Sequence, residues 1–227
     1  SDVDDRGSIV IKAVIEALST SFPSKKPQII YAGHNLSEDY HADLLAFLNN
    51  VDYSLIVISK SGTTTETSVS FRLLQKHCEK KYGIRSSQKR IICITDKTKG
   101  ALKLLADKKG YKSFVIPDDV GGRYSVLSPV GLLPIGMAGF NIKELVQGAI
   151  EMSKILNQQK EYNIAVRYAL FRNDMLNNGY MVEVMTAFEP KMFYLIEWWK
   201  QLFGESEGKN HKGIFPAGAI YTTDLHS

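Results

Sequence analysis

Six side-chain hydroxyls fall within nine residues: Ser59, Ser61, Thr63, Thr64, Thr65 and Thr67, with Lys60 and Gly62 among them. They follow the apolar, β-branched run "YSLIVIS" (Tyr53 to Ser59) and lead into the periodic stretch "TETSVSFRLLQKHCEKKYG", which Gly83 closes. A loop that ends a strand and opens a helix has the helix's unpaired N–H groups and positive dipole end at hand. Hydroxyl donors, one ammonium group and a glycine that lets the backbone come close would together cradle a phosphate there. The spacing GxxxxGK[ST] is absent, so this is not an ATP-binding P-loop. The competing reading is a Ser/Thr-rich turn that merely caps the helix.

Three further segments carry candidate chemistry. In "DDVGGRYSVLSP" (Asp118 to Pro129), Gly121 and Gly122 would allow close backbone approach, and Arg123 could deliver a guanidinium to a phosphate or a developing oxyanion. The plain alternative is a glycine turn whose arginine pairs with Asp118 or Asp119. In "FGESEGK" (Phe203 to Lys209), Glu205 and Glu207 stand between glycines at the end of an aromatic helix, where a carboxylate could act as a general base or simply be solvated. In "TTDLHS", His226 lies two residues from Asp224 and could move protons near neutral pH; His34, His41, His77 and His211 show no better arrangement. Trp198 and Trp199, at helical spacing with Phe193, Ile196 and Phe203, read as core or subunit interface before they read as a sugar-stacking platform.

The elements that must hold these residues follow from hydrophobic periodicity, which switches repeatedly between 3.6 and 2. Helix Ser8–Phe22, strand Gln28–Gly33, a helix capped by Ser37, strand Tyr53–Ser59, a helix to Gly83, strand "RIICIT", helix "GALKLLADKKG" and strand "SFVIP" succeed one another. That order predicts a parallel sheet covered on both faces. After Pro117 comes a stretch with five glycines and two prolines. Two helices, the strand "YMVEVMTAF", the aromatic helix and a strand near "GIFPAGAIY" then suggest a second α/β unit. The 227 residues, 44% hydrophobic and 23% charged, fit one large or two small globular domains. A net charge of +4, spread along the chain, favours small anionic ligands over nucleic acid. Cys78 and Cys93, in no CxxC arrangement, read as reduced cytosolic thiols. Neither a signal peptide nor a membrane span is expected.

Taken in order, "VISKSGTTTET", "DDVGGRYSVLSPVGLLPI", "EWWKQLFGESEGK" and "GIFPA…TTDLHS" closely resemble the glucose-6-phosphate isomerase family in its shorter bacterial form, from about Lys12 to Ser227. The resemblance implies two flavodoxin-like sugar isomerase (SIS) domains, α/β sandwiches with parallel sheets: here a first over 1–150, lacking its first strand and glycine loop, and an incomplete second over 151–227. It implies a cytoplasmic homodimer that interconverts glucose 6-phosphate and fructose 6-phosphate through an enediol, in glycolysis and gluconeogenesis, without metal or organic cofactor and with no nucleic-acid or membrane partner. By position, Ser59, Lys60, Ser61, Thr64 and Thr67, with Gly62 and Thr63, match the phosphate loop. Arg123 matches the enediolate-stabilising arginine, Glu205 the catalytic carboxylate and His226 the active-site histidine, with Glu207 or Asp224 as alternative bases. The family's GIGGS-like sugar loop is reduced to Gly7-Ser8, and its Gly-Val-Glu segment with the catalytic lysine does not occur. The chain is therefore expected to be an internal piece of about half an isomerase, inactive alone. The alternative function is a SIS-type sugar-phosphate-binding regulatory module without catalysis. "GGRYS" and "ESEGK" set the chain apart from other SIS architectures.

Overall fold

The computed structural model describes residues 7–20, 27–158 and 163–222. His226 and Asp224 lie outside the described residues, as does Phe22. By contacts the chain divides into two compact units: the described residues of Ser1–Ile11 and Pro27–Pro134, and those of Lys12–Lys26 and Ile135–Ser227. No helix among the described residues is long and apolar enough to cross a membrane.

Along the chain run α1 (Gly7–Leu18), α2 (Glu38–Asn49), β1 (Leu55–Ile58), α3 (Thr65–Tyr82), α4 (Ile84–Arg90), β2 (Ile91–Thr95), α5 (Ala101–Lys109) and β3 (Lys112–Val115). A 3-10 turn at Gly122–Leu127 leads into α6 (Pro129–Met137), followed by α7 (Ile142–Leu156) and α8 (Ile164–Asn177). Then come β4 (Val182–Ala187), a 3-10 turn at Pro190–Met192, α9 (Phe193–Glu207) and β5 (Phe215–Ile220).

The first unit is an α/β sandwich on a parallel sheet in the order β1-β2-β3, with Leu55 opposite Ile91 and Ile92 opposite Lys112. Successive strand residues face opposite sides, so one sequence feeds two cores. Val57, Ile91 and Cys93 pack with Phe71 and Cys78 of α3 and with Leu102 and Ala106 of α5. On the other face Ile94 and Ile116 pack with Val130 of α6. Helix α2 is positioned as its sequence demands: Ser37 Oγ accepts from Tyr40 N–H, and Leu44 and Leu48 meet Leu74 of α3. Buried His41 ties the two helices, with Nδ1 2.8 Å from the Ser37 carbonyl and Nε2 2.7 Å from Ser70 Oγ.

Two elements differ from the expected order. Gln28–Gly33 forms no strand, because a strand exists only through a ladder partner and none is assigned to it among the described residues. "IRSSQKR" forms the short helix α4, which its polar composition conceals. The aromatic helix runs through "FGESEG" as expected: α9 continues to Glu207, so Glu205 sits on its last turn.

In the second unit β4 and β5 pair in parallel, Val182 with Phe215 through Ala187 with Ile220, and α9 packs on β5. A Cβ at Gly218 would lie 2.1 Å from Ile196 Cγ2, which shows how close that helix comes. Trp199 is buried with its ring 5.3 Å from Phe203, in the core.

Cys78 and Cys93 are free, fully buried thiols. Burial raises both, Cys93 to about 12. Native protein at pH 8 is therefore expected to resist iodoacetamide, with Cys93 protected on the order of a thousandfold relative to chain unfolded in urea. Mass-spectrometric labelling kinetics check this, and equal rates in the two states would contradict the packing.

Candidate functional site

The three parallel strands deliver three loops to one edge of the sheet, beginning at Ser59, Asp96 and Ile116. Carboxyl edges of such sheets are where ligands bind. The Ser59–Thr67 loop is first folded by its own hydroxyls. Buried Ser59 Oγ accepts from Gly62 N–H at 2.9 Å, and Ser61 Oγ accepts from Thr63 N–H at 3.2 Å and from Thr63 Oγ1 at 2.8 Å.

The loop's carbonyls turn towards the neighbouring loop. Ser61 O accepts from Ala101 N–H at 2.8 Å, so it caps α5, and Lys60 O accepts from Thr95 Oγ1 at 3.3 Å. Two glycines interlock the loops. Gly62 (φ +76) would place a Cβ 2.3 Å from Leu102 N, and Gly100 (φ +99) would place one 2.9 Å from Ser61 O. Buried Asp96 shapes the second loop by accepting from Thr98 N–H (2.9 Å) and Lys99 N–H (3.0 Å), and these bonds hold its carboxyl below its usual range. "TDKTKG" carries this device as an Asx turn followed by a glycine, a readable signal that goes unweighed when attention rests on the hydroxyl cluster.

With its carbonyls committed on one side, the loop hands the chain to α3 at Thr64. The Thr64 side chain makes no capping bond at the start of this 18-residue helix, so Thr64 does not supply the hydroxyl cap expected of a merely structural Ser/Thr turn. Gly33 (φ +89) presses its backbone against Thr67, where a Cβ would come 3.1 Å from Thr67 Cα. A cleft of about 330 Å3 opens here, lined by Ser59, Gly62, Thr67, Ser68 and Leu102.

Lys60 Nζ lies 3.0 Å from Asp118 Oδ1, which links this loop to the one that carries Arg123. Asp118 is 81% exposed, so the pair is worth at most about 1 kcal/mol and an incoming anion can take the ammonium over. The Arg123 guanidinium lies 4.8 Å over the Tyr124 ring. Gly121 has an ordinary extended backbone, and a Cβ there would make only ordinary contact with Tyr124 Cδ2 and Arg123 Nη1, at 3.8 and 3.9 Å. Ser125, fully buried, donates to Gly122 O at 2.6 Å and fixes the turn.

Thus Ser59 to Thr67 and Arg123 belong to one unit and one sheet edge. Glu205 belongs to the other unit, where Gln201 Nε2 donates to its Oε1 at 3.2 Å. Glu207, the alternative base, has both carboxylate oxygens on Arg172 Nη1, at 2.6 and 2.7 Å. Arg172 itself went unnoticed in the sequence. It is buried, its Nε donates to Glu183 Oε2 at 2.6 Å, its guanidinium lies 4.3 Å over Phe203, and Tyr168 also bonds Glu183. The available signal was Tyr168 and Arg172 at i, i+4 on one face of α8. Among the described residues no group of three His, Cys, Asp or Glu could hold a metal ion.

Comparison with known proteins gives one family and concordant relatives. The family model described as phosphoglucose isomerase matches residues 7–215. A glucose-6-phosphate isomerase of Parabacteroides distasonis is 51% identical over 223 residues, 95% of this chain and 50% of that protein. One from Clostridium novyi is 53% identical over 224 residues, again 95% of this chain and 50% of that protein. The crystal structure of a hypothetical protein from Thermus thermophilus superimposes with a TM-score of 0.86 at 26% identity, covering 99% of this chain and 53% of the other. The chain spans about half the length of the curated relatives it matches.

Proposed function

Because this chain belongs to the phosphoglucose isomerase family, we propose that the full-length enzyme interconverts glucose 6-phosphate and fructose 6-phosphate as a cytoplasmic homodimer built of SIS domains. The observation that supports the site reading is the start of α3 at the sheet's carboxyl edge, which the Thr64 side chain does not cap and which follows a loop carrying Lys60 and the hydroxyl cluster. A phosphate seated there completes the helix start and uses its dipole end. The phosphate stays put while the chemistry happens elsewhere on the sugar.

In that chemistry an acid/base group, His226 by sequence position, opens the ring. The Glu205 carboxylate then takes the proton from C2 of the open-chain aldose and returns it to C1 of the enediol. Arg123 holds the oxyanion that develops in between. Glu205 is preferred to Glu207 because the latter's two oxygens are already committed to Arg172. Each proton removed is returned, so the scheme calls for neither metal nor redox cofactor.

Calorimetric titration of the 227-residue chain tests the anchor. Fructose 6-phosphate is expected to bind and fructose not to, with Lys60→Ala weakening the phosphate ester about tenfold. A coupled assay of a version extended at both ends tests the reaction. Its expected result is turnover there and none in the short chain. Binding without turnover in the extended version would point instead to a regulatory module.

A further inference from the structure

We propose that Glu207 and Arg172 are positioning residues for Glu205: with the turn 208–213 they form a rigid mount that fixes the last turn of α9, and so the aim of the carboxylate it carries, an inference that rests on the reading of Glu205 as the isomerase base. The last turn of a helix has carbonyls with no partner inside the helix, and helices fray there. A base must hold its oxygen within a fraction of an ångström of its productive place. At the end of α9 these two demands conflict. The bond from Gln201 Nε2 to Glu205 Oε1 cannot resolve the conflict, because Gln201 rides on the same helix.

Groups outside α9 resolve it. Arg172 of α8 brings Nη1 to 2.6 and 2.7 Å from the two oxygens of Glu207. Arg172 is itself held by Glu183 of β4, 2.6 Å from its Nε, and Tyr168 bonds Glu183, so the grip is anchored in a neighbouring helix and strand. The chain then folds back over Glu207. Lys209 N–H donates to Glu207 O at 2.7 Å, and a Cβ at Gly213 (φ +102) would stand 3.0 Å from that same oxygen. The fold-back passes through Asn210 (φ 54) and His211 (φ 57), the only non-glycine residues with positive φ among the described residues. Two successive left-handed residues are costly, and such strain persists where the surroundings over-determine the backbone, which is characteristic of active sites. Both grips fall on Glu207, which stands about 200° around the helix from Glu205. They fix the backbone of the turn without occupying the Glu205 carboxylate.

Steady-state kinetics of the enzyme extended at both ends test the mount. Glu207→Ala is expected to lower kcat about twentyfold with KM unchanged within about twofold. Glu207→Gln still offers Arg172 an oxygen but cannot serve as a base, and it should recover most of that loss. Gly213→Ala leaves both carboxylates in place and should lower kcat about tenfold, again with little change in KM. Glu205→Gln should abolish turnover. Positioning is overturned if Glu207→Ala turns over like the parent, or if Glu207→Gln is as inactive as Glu205→Gln, since Glu207 would then be the base itself. Amide exchange needs no turnover: in the 227-residue chain Glu207→Ala should speed exchange at 204–207 about tenfold and leave β1–β3 unchanged. Unaltered exchange at 204–207 overturns the mount even where the isomerase reading stands, whereas an inactive extended enzyme whose 204–207 amides do respond sinks that reading and not the mount.

Discussion

Gly62→Ala is expected to remove measurable phosphate-ester binding and to cost about 2–4 kcal/mol in urea-unfolding stability, combining left-handed backbone strain with overpacking. Gly62 has φ +76, and the new methyl would fall 2.3 Å from Leu102 N and 2.7 Å from Leu102 Cβ. Leu102 belongs to the first turn of α5, whose N–H at Ala101 is capped by Ser61 O, so the loop cannot retreat without uncapping a helix. Gly83 supplies the control: it also has φ +76, yet nothing lies within 4 Å of its would-be Cβ. Gly83→Ala should cost only the backbone strain of its φ 76, ψ 160 conformation, about 1–3 kcal/mol, and leave binding intact. Equal losses for the two variants would mean that the clash with α5 is unimportant and that the loop is not held by interlocking.

Much of this arrangement was legible because it is local. Ser37 before two acids announces a helix start, Gly83 and Gly110 announce ends, and β-branched runs that alternate between two cores announce strands. The hydroxyl cluster marked the loop, but its chemistry did not reveal that Ser59 and Ser61 spend lone pairs on folding that loop, since which N–H a hydroxyl meets depends on the turn. Gln28–Gly33 reads as a strand by composition, and the missing property is a neighbour, which no local pattern encodes. Gly204 falls within the aromatic run that reads as a helix. It is accommodated inside α9, where a glycine costs about 1 kcal/mol relative to alanine and its bare Cα faces Pro216 across the β5 contact. Arg172 looked like any polar residue of a surface helix, because its partners lie 11 and 35 residues further along.

Replacing that arginine should have a large effect. Arg172→Met is expected to destabilise the second unit by about 2–4 kcal/mol, below the full value for a buried pair because Glu183 and Glu207 keep 26% and 39% of their side chains exposed. Burial works against the guanidinium's charge, yet the bonds to Glu207 and Glu183 more than offset it and hold its pKa above the ordinary arginine value. The methionine would keep contact with Phe203 but leave two carboxylates facing each other across β4 and the end of α9. Arg172→Lys should rescue little, since one ammonium cannot fork to both carboxylates as Nε and Nη1 do. The double variant with Glu183→Gln should recover part of the loss, and a double-mutant cycle measures how much. Because the clamp grips Glu207, two residues past Glu205, its loss should also loosen the last turn of α9. Amide exchange at 204–207 should then rise more than tenfold while β1–β3 stay protected. A uniform rise across both units would mean that Arg172 serves global stability alone and does not hold the end of this helix.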